Sequence, residues 1–410
     1  MAQTLTSTIA AIHEDLADEL ALLDNENTIF SSTVQSGGQA ENSTYSRVAD
    51  KHLTGRLGAV AEGAAVTRAN VANQFLNRKK ISGAVQQKRE SYGVSKRVEK
   101  VENTAGVANE VGEARYRALE RYKQGVELTY LSQQVAASGA SFYNEEDVLA
   151  TGYLTMGASA YVESGAQKTT DTTFQVDALY RPAAAQLINV ASASAFTETN
   201  MRTLLLETRK AKRKNVKLSM FATTDFANHL ATFFDAGSTA NSVTPIRRYN
   251  QDSSNNEITS MLTGYKTAMG SLMVIPTELL NASRNAGSLA GAATTNTSTT
   301  VTVTSTAGLQ SGMKIAGTGI PSGAYIASIT NSTTFVLSAA ATATGSPTLT
   351  ESDFDHALAL EMEYFYEILN GLEEVDLSMD GSGNQGYVEG FFSLFCSMPA
   401  VHGKVYTAVA

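Results

Sequence analysis

The chain has 410 residues, of which 43% are hydrophobic and 17% charged, and this composition is typical of folded proteins. Its formal net charge of −9 argues against a dedicated nucleic-acid-binding protein, because such proteins carry basic domains. The single cysteine, Cys396, excludes an internal disulfide framework and any metal site built from several cysteines, and its apolar neighbours predict a buried thiol.

The N-terminal segment does not resemble a secretion signal, because Asp and Glu interrupt the apolar run that such a signal requires. Residues 5–23 instead alternate apolar and acidic side chains at helical spacing, which predicts a short amphipathic helix. No stretch approaches the roughly 20 apolar residues of a membrane span. We therefore expect a protein that is made and used in a cytoplasm, or exported by a route other than a cleaved signal, with no membrane partner.

Residues 24–55 are polar, with single apolar residues and turn formers, and predict an extended arm without a core of its own. Strand character at 44–53 and 75–95 flanks a glycine-bearing stretch at 55–74, which predicts a long two-stranded loop with a flexible tip. Because an isolated hairpin is marginally stable in water, we expect both segments to lie on another surface.

The longest helical period spans residues 104–139, where we expect Thr104 to cap a helix and Gly139 to stop it. Glu113 and Arg117 form an i,i+4 pair away from the apolar stripe. The stripe recurs at spacings of three and four: Val107, Val111, Ala114, Ala118, Tyr122, Val126 and Tyr130. This pattern predicts a long amphipathic helix that acts as a strut across an extended domain.

Beyond the strut, the pattern alternates between helix and strand. A helix is predicted over 197–214, a strand over 216–222 and a capped helix over 225–234. Residues 258–265 and 271–275 follow as paired strands. Together these segments predict a second domain of mixed α and β structure.

The composition changes sharply at about residues 285–350, which are rich in Thr, Ser, Ala and Gly and have Lys314 as their sole charged side chain. Short β-branched runs at 299–304, 313–316, 324–329 and 333–337, divided by Gly and Pro, predict a small all-β module inserted into the second domain. The last segment, from about residue 375, predicts two strands around a Gly-rich turn that return to the long helix.

No catalytic, cofactor-binding or metal site emerges from the sequence. The histidines show no zinc-binding spacing and are interpreted as surface or packing residues: His13, His52, His229, His356 and His402. The run 317–323 lacks the Lys-Ser/Thr ending of a phosphate loop, and 380–384 lacks the acidic spacing of a calcium loop. Glu361, Glu363 and Glu367 are expected on a solvated strand face. We therefore predict a protein that is not an enzyme and has no cofactor.

One dense basic cluster stands at the end of the helix predicted over 197–214. It comprises Arg209, Lys210, Lys212, Arg213, Lys214 and Lys217. The helix dipole favours cations there, so a solvated helix end explains the cluster, and contact with an acidic partner or enclosed nucleic acid is the alternative. No aromatic residue is interleaved, which argues against base stacking.

The order of these segments resembles that of the major capsid proteins of tailed bacteriophages, which share the Hong Kong 97 capsid fold with encapsulin shells. LLDNENTIFSSTVQSGGQAENSTYSRVADKHL resembles their arm, and SYGVSKRVEKVENTAGVANEVGEARYRALERYKQGVE their spine helix, with Glu110 and Glu127 on the pattern. GYKTAMGSLMVIPTELL is similar to their axial strand pair. GYVEGFFSLFCSMPAVHGKV is similar to their closing strands, including Glu389, His402 and Gly403.

Two features depart from that family pattern. Tyr45 and Ser46 stand where many relatives carry a tryptophan. The β module is additional, and TTVTVTSTAGLQSGMKIAGTGIPSGAYIASI is similar to Ig-like or decoration-type insertions on virion proteins.

The resemblance implies an α+β fold with seven consecutive segments. These are an N-terminal helix and arm (1–50), an extended loop (51–103), the spine helix and peripheral domain (104–180), an axial domain (181–284), the inserted β domain (285–350), returning axial strands (351–375) and closing peripheral strands (376–410). It also implies that residues 51–89 overlie a neighbouring subunit and that residues 186–280 gather at the capsomer axis.

The function implied is that of a major capsid protein that self-assembles into an icosahedral phage head around packaged double-stranded DNA. Its expected partners are copies of itself in hexamers and pentamers, a portal, scaffolding or cement proteins, and DNA held by non-specific contact. Assembly is expected in the cytoplasm of the host bacterium, and the finished protein in the virion. Two alternatives stay open: an encapsulin-like compartment with a protein cargo, and a Ser/Thr-rich surface adhesin.

Overall fold

A computed structural model of the chain describes residues 28–51, 59, 61–65, 77–100, 110–143, 149–167, 171–235, 264–281, 288–289, 291–306, 309, 311–351, 353–377 and 383–408. The predicted N-terminal helix at 5–23, most of the loop tip at 55–74 and the predicted cap Thr104 lie outside the described residues. Among the described residues, no helix combines the length and the apolar character that a bilayer crossing requires.

Helices occupy a minor part of the described chain. The α-helices are α1 (Ile29–Thr33), α2 (Lys96–Lys100), α3 (Glu110–Leu131), α4 (Ala158–Tyr161), α5 (Glu198–Lys212) and α6 (Thr224–Asp235). Single 3-10 turns are found at Thr172–Phe174, Ala178–Tyr180, Ala184–Gln186, Ala193–Ala195, Met362–Tyr364 and Pro399–Val401.

Strands form most of the ordered framework. The strands outside the β module are β1 (Gln35–Ser36), β2 (Thr44–Ala49), β3 (Lys79–Ala84), β4 (Gln86–Ser95), β5 (Ala137–Tyr143), β6 (Leu149–Leu154), β7 (Leu187–Asn189), β8 (Val216–Ala222), β9 (Gly264–Thr267), β10 (Gly270–Pro276), β18 (Phe354–Leu360), β19 (Phe365–Leu377), β20 (Gly383–Cys396) and β21 (Gly403–Thr407). Those of the module are β11 (Ser288–Leu289), β12 (Ala293–Thr294), β13 (Thr300–Thr302), β14 (Ile315–Gly317), β15 (Ile326–Asn331), β16 (Thr334–Leu337) and β17 (Leu349–Glu351).

The long helix α3 lies on a four-stranded sheet of order β1-β19-β20-β4. Its predicted apolar stripe is confirmed from Val111 onward, since Val111 and Ala114 are half-buried and four further stripe residues are buried: Ala118, Tyr122, Val126 and Tyr130. Val107 lies outside the described residues. The helix approaches β20 so closely that a Cβ on Gly390 would stand 2.3 Å from the Tyr122 hydroxyl oxygen. Strand and helix therefore share one core although they are more than 250 residues apart in sequence.

The helix ends at Leu131, earlier than the stop predicted at Gly139. The Ser132 side chain explains this end, because its hydroxyl donates to the Thr129 carbonyl at 2.8 Å and accepts the Gln134 N–H at 3.1 Å. Gly139 lies instead within β5, with a positive φ of 68° that favours glycine. The chain thus leaves the helix through a side-chain cap that periodicity does not reveal.

A second, six-stranded sheet has the order β7-β21-β18-β8-β10-β9. Alternate residues of β8 serve opposite faces, since Leu218 and Met220 pack with α5 and α6 while Phe221 packs in the core of α3. The expectation that both closing strands return to the long helix holds for β20 but not for β21. Strand β21 pairs instead with β18 and β7. Its residue Val405 is buried in the core that α5 and α6 cover.

The β module contains a three-stranded sheet, β11-β17-β14, and a four-stranded sheet, β12-β13-β16-β15. All buried apolar residues of its cluster lie between Leu289 and Leu349, so this core is separate from the other two. The chain leaves for the module after Pro276 of β10 and returns at β18. Pro276 and Ala357 both pair with Ala222 of β8, one on each side, so departure and return occur at the same end of the sheet.

Candidate functional site

The arm is fixed to the spine helix by a buried carboxylate. Glu127, 1% exposed, accepts the backbone N–H of Phe30 at 2.6 Å and that of Ser31 at 2.8 Å. These two amides have no partner inside α1, because they belong to its first turn. A carboxylate that accepts backbone N–H groups makes a strong, charge-assisted hydrogen bond. Glu127 therefore anchors a segment that lies 97 residues away in sequence.

Phe30 is the apolar part of the same anchor. Its ring is fully buried and meets Tyr130, Phe221 and Phe365 edge-on, at centroid distances of 6.1, 5.2 and 6.0 Å. These rings come from α3, β8 and β19, so Phe30 joins both main sheets to the helix. The arm thus has no core of its own, as expected, and packs through Phe30 into the core of the same chain.

The strand pair β2–β3 lies on the face of β19 and β20 opposite α3. The Tyr45 hydroxyl lies 2.9 Å from the Ser393 hydroxyl, and its ring meets Phe395 edge-on at 5.8 Å. Burial raises the pKa of Tyr45 to about 12, so the hydroxyl stays protonated. Tyr45 thus contacts β20 through both its ring and its hydroxyl. The predicted pairing is confirmed for residues 44–49 and 79–84, whereas residues 86–95 form β4 and pair with β20 of the same chain.

A salt bridge fastens α3 to the far end of the β19–β20 pair. Arg115 contacts Glu374 at 2.5 Å and Asp376 at 2.8 Å, and the Tyr92 hydroxyl donates to Asp376 at 2.8 Å. Hydrogen bonds from Tyr92 and Arg115 lower the pKa of Asp376. Because Arg115 is exposed, we expect this salt bridge to contribute little to the free energy of unfolding and to fix instead the position of α3 on the sheet.

A second group of charges is deeply buried at the base of the β module. Lys404 of β21, 1% exposed, donates to Glu163 at 3.0 Å and lies 3.9 Å from Asp355 Oδ1. Asp353, also 1% exposed, pairs with Lys314, the sole charge of the module. The two sides of the module are further joined by Asn281, whose amide bonds the backbone N–H and carbonyl of Asp355 at 3.1 and 2.7 Å.

His402 and Cys396 lie together in the core. Cys396 Sγ lies 3.2 Å from His402 Nε2, and His402 Nδ1 accepts the Glu361 N–H at 3.0 Å. Burial raises the pKa of the Cys396 thiol and lowers that of His402 to about 3, so both groups are neutral at pH 7. A protonated thiol is a poor nucleophile. The predicted buried thiol is confirmed.

The carboxylates expected on a solvated face are placed differently. Glu361 is buried and accepts from Lys212 at 3.1 Å and from the Lys217 N–H at 2.9 Å. Glu367 accepts the Tyr130 hydroxyl at 2.8 Å, and burial raises its pKa. Only Glu363 is exposed as expected. The expectation is wrong for the other two, because the end of α5 covers Glu361 and α3 covers Glu367. Glu361 and Glu363 also lie at a 3-10 turn, and only Glu367 lies in a strand.

The basic cluster stands at the end of α5, as the sequence predicts. Lys212 is committed to Glu361 and Glu363, each at 3.1 Å, and Lys210 pairs with Glu207 at 2.6 Å. Arg213 ends the helix with a positive φ of 60°. Part of this positive charge is therefore neutralised within the chain.

Among the described residues, no group of His, Cys, Asp and Glu is arranged to hold a metal ion.

Comparison with known proteins decides between the alternatives. A family model described as SU10 major capsid protein matches residues 1–290. The chain belongs to the SU10 major capsid protein family. No curated protein matches it significantly. Similar solved structures include the capsid of a native GTA particle, at TM-score 0.53 and 7% identity, and the Cyanophage Pam1 capsid, at 0.51 and 9%, each over 100% of both chains.

These structural likenesses concern the fold, since their identity is low. The family assignment makes the chain a structural subunit of a phage virion, built into a shell from repeated copies, and not an enzyme. The prediction of a major capsid protein is thereby confirmed, and the adhesin alternative is set aside.

The capsid protein exposes large apolar side chains on the β19–β20 pair. Leu369, Leu372, Leu377 and Phe391 are 39 to 51% exposed. This pair extends past the end of β1, so that β19 becomes an edge strand there. Apolar side chains beside an open strand edge are typical of a surface that another chain covers. In a shell subunit, we interpret this surface as a candidate contact between copies.

Proposed function

We propose that this capsid protein adopts the Hong Kong 97 fold and forms the icosahedral head of a tailed phage around double-stranded DNA. The observation that carries the proposal is the long helix α3, laid on a sheet that joins the arm strand β1 to the C-terminal strand β20. The full-length likeness to the GTA particle capsid, at TM-score 0.53, supports the same fold.

We also propose the domain division that the sequence indicates, although two strands cross it, since β19 packs in the core of α3 and β21 in that of α5 and α6. The peripheral domain combines residues 104–180 and 376–410 around α3, with the arm and the loop, residues 1–103, laid along it. The axial domain combines 181–284 and 351–375 around α5 and α6. Residues 285–350 form the inserted domain, and the two hydrogen bonds between Asn281 and Asp355 support this reading, because they close its base.

The other partners that we propose are those that the assembly and filling of a phage head require. We propose assembly in the host cytoplasm, with a portal and with scaffolding or cement proteins. DNA contact is proposed to be non-specific, through the exposed cations Arg209, Lys214 and Lys217 of the α5 end.

The assembly proposal is tested by negative-stain electron microscopy and light scattering of the purified recombinant chain. Shells, or capsomers with five and six copies, are the expected result. A stable monomer at high concentration, with no response to crowding agents or to a scaffolding partner, would refute it. Shells purified with protein cargo rather than DNA from infected cells would favour the encapsulin alternative.

The inserted domain is tested by deleting residues 285–350 and joining the ends with a short Gly/Ser linker. Assembly is expected to continue, because the module has its own core and its base is closed by Asn281. A matched variant, Phe335→Ala, keeps the full chain but opens a cavity in the module core, where Phe335 is fully buried. If both variants yield only aggregates, the module is part of the folding unit and the domain proposal fails.

A further inference from the structure

The buried group around Lys404 has an arrangement that an ion pair alone does not require. Lys404 and Asp355 stand on neighbouring antiparallel strands, β21 and β18, and each is 1% exposed. Their side chains leave the same face of the sheet, because Asp355 pairs with Tyr406 and Tyr406 shares a face with Lys404. The two groups are thus held side by side and away from water.

The carboxyl group of Asp355 is bound unequally at its two oxygens. Oδ2 accepts the Ser159 hydroxyl at 2.5 Å and the Gln133 side-chain amide at 3.0 Å. Oδ1 is buried without a hydrogen-bond partner and faces Lys404 Nζ at 3.9 Å. Two donors on one oxygen are the arrangement that stabilises an oxyanion during attack on a carbonyl carbon. The other oxygen is the one that can leave.

Glu163 completes the group from the chain just after α4. Its Oε1 accepts from Lys404 Nζ at 3.0 Å, so it contacts the amine directly. Burial raises the pKa of Asp355 even though Lys404 and the two donors lower it, which favours the neutral acid. A neutral carboxylic acid beside an amine can condense, whereas a carboxylate resists attack.

We propose that Lys404 and Asp355 condense to form an intrachain amide, with Glu163 carrying the protons. Glu163 takes a proton from the Lys404 ammonium, and the resulting amine attacks Asp355 Cγ. The negative charge develops on Oδ2, between Ser159 and Gln133. The Cγ–Oδ1 bond then breaks. Oδ1 leaves as one water molecule that carries the proton of the neutral acid and one of the two protons that nitrogen loses, and the other proton stays on Glu163, so the reaction needs no oxidant and no cofactor.

The bond would join β18 to β21 and close residues 355–404, which include β19 and β20, into a covalent loop. It would also remove two charges from a site where charge is costly, since burying an ion pair requires desolvation of both partners. The site differs in this respect from Lys212 and Glu361, where Lys212 also reaches the exposed Glu363 and is balanced at the surface.

The first test is the denatured mass of the purified full-length chain, compared with a Lys404→Arg chain that has the same termini. The wild-type chain is expected to be lighter than its linear mass by one water, and the arginine variant to have its full linear mass. A tryptic digest should contain one branched peptide in which the segment of Lys404 is joined to that of Asp355. A folded wild-type chain with full linear mass after prolonged incubation, cleaved normally after Lys404, overturns the proposal.

Three variants separate the roles of the residues. Glu163→Gln should slow bond formation by about a hundredfold, the usual effect of losing a general acid–base group. Asp355→Asn should still form the bond but lose ammonia instead of water. Lys314→Arg is the matched control, because Lys314 pairs with Asp353 and not with the reacting groups, and it should lose one water as the wild type does. Equal rates in wild type and Glu163→Gln would show that Glu163 does not act.

Discussion

The burial of Phe30 predicts that the arm contributes to the stability of a single, unassembled subunit. A phenylalanine ring removes about 150–250 Å² from water, worth roughly 4–6 kcal/mol at about 25 cal/mol per Å². Alanine retains part of this, so Phe30→Ala should lower the free energy of unfolding by about 3–5 kcal/mol. Its three edge-on ring partners leave little room for the cavity to collapse.

The assay is urea unfolding of the unassembled chain, together with hydrogen exchange at the amides of Phe30 and Ser31. These two amides should lose protection in the variant, because their bonds to Glu127 depend on the anchor. Gln39→Ala, at an exposed arm position, is the control and should change stability by less than about 0.5 kcal/mol. If Phe30→Ala changes stability as little as the control, the arm is held only by neighbouring subunits and our reasoning is refuted.

Three further predictions concern the cores. The pKa of His402 is about 3 in the folded chain and about 6.5 in the unfolded chain, so acidification between these values protonates only the unfolded chain. The free energy of unfolding should therefore fall by about 1.4 kcal/mol per pH unit in this range. The difference in pH slope between wild type and His402→Gln measures this effect, and equal slopes would contradict it. Gly157→Ala should destabilise the folded chain by at least about 1–3 kcal/mol, because its Cβ would stand 2.1 Å from the Ser132 carbonyl oxygen. Gly165→Ala, whose Cβ would meet open space, is the control and should leave the melting temperature unchanged. Thr197→Ala should cost about 1 kcal/mol through loss of the α5 cap, and an unchanged melting temperature would count against the cap.

The elements predicted well from the sequence are those whose signals are local. Helix α5 begins one residue after the start predicted at Thr197, and β8 has the predicted bounds 216–222, because helical period and strand alternation are set by neighbouring residues. Strand β4 has equally clear local character. Its partner β20 lies about 300 residues away, and no local pattern identifies that partner.

The buried polar groups could not be predicted for the same reason. Lys404 lies in an ordinary closing strand, and its carboxylate neighbours come from residues 163 and 355. Glu127 is marked by the family resemblance, but only the structure shows that it binds the arm amides of Phe30 and Ser31. What the sequence does show is the order of the segments, and that order was enough to indicate the family.

The register at Ala222 also determines how the subunit responds to mechanical load. Strands β10 and β18 lead to and from the module at one end of the sheet, and both pair with β8. A force that draws the module away from this end acts along both strands and shears them against β8. The hydrogen bonds between β8 and residues Gly270 to Pro276 of β10 then share the load, instead of breaking one at a time. A ligand or a surface that pulls on the module would therefore leave the rest of the subunit intact up to a high force.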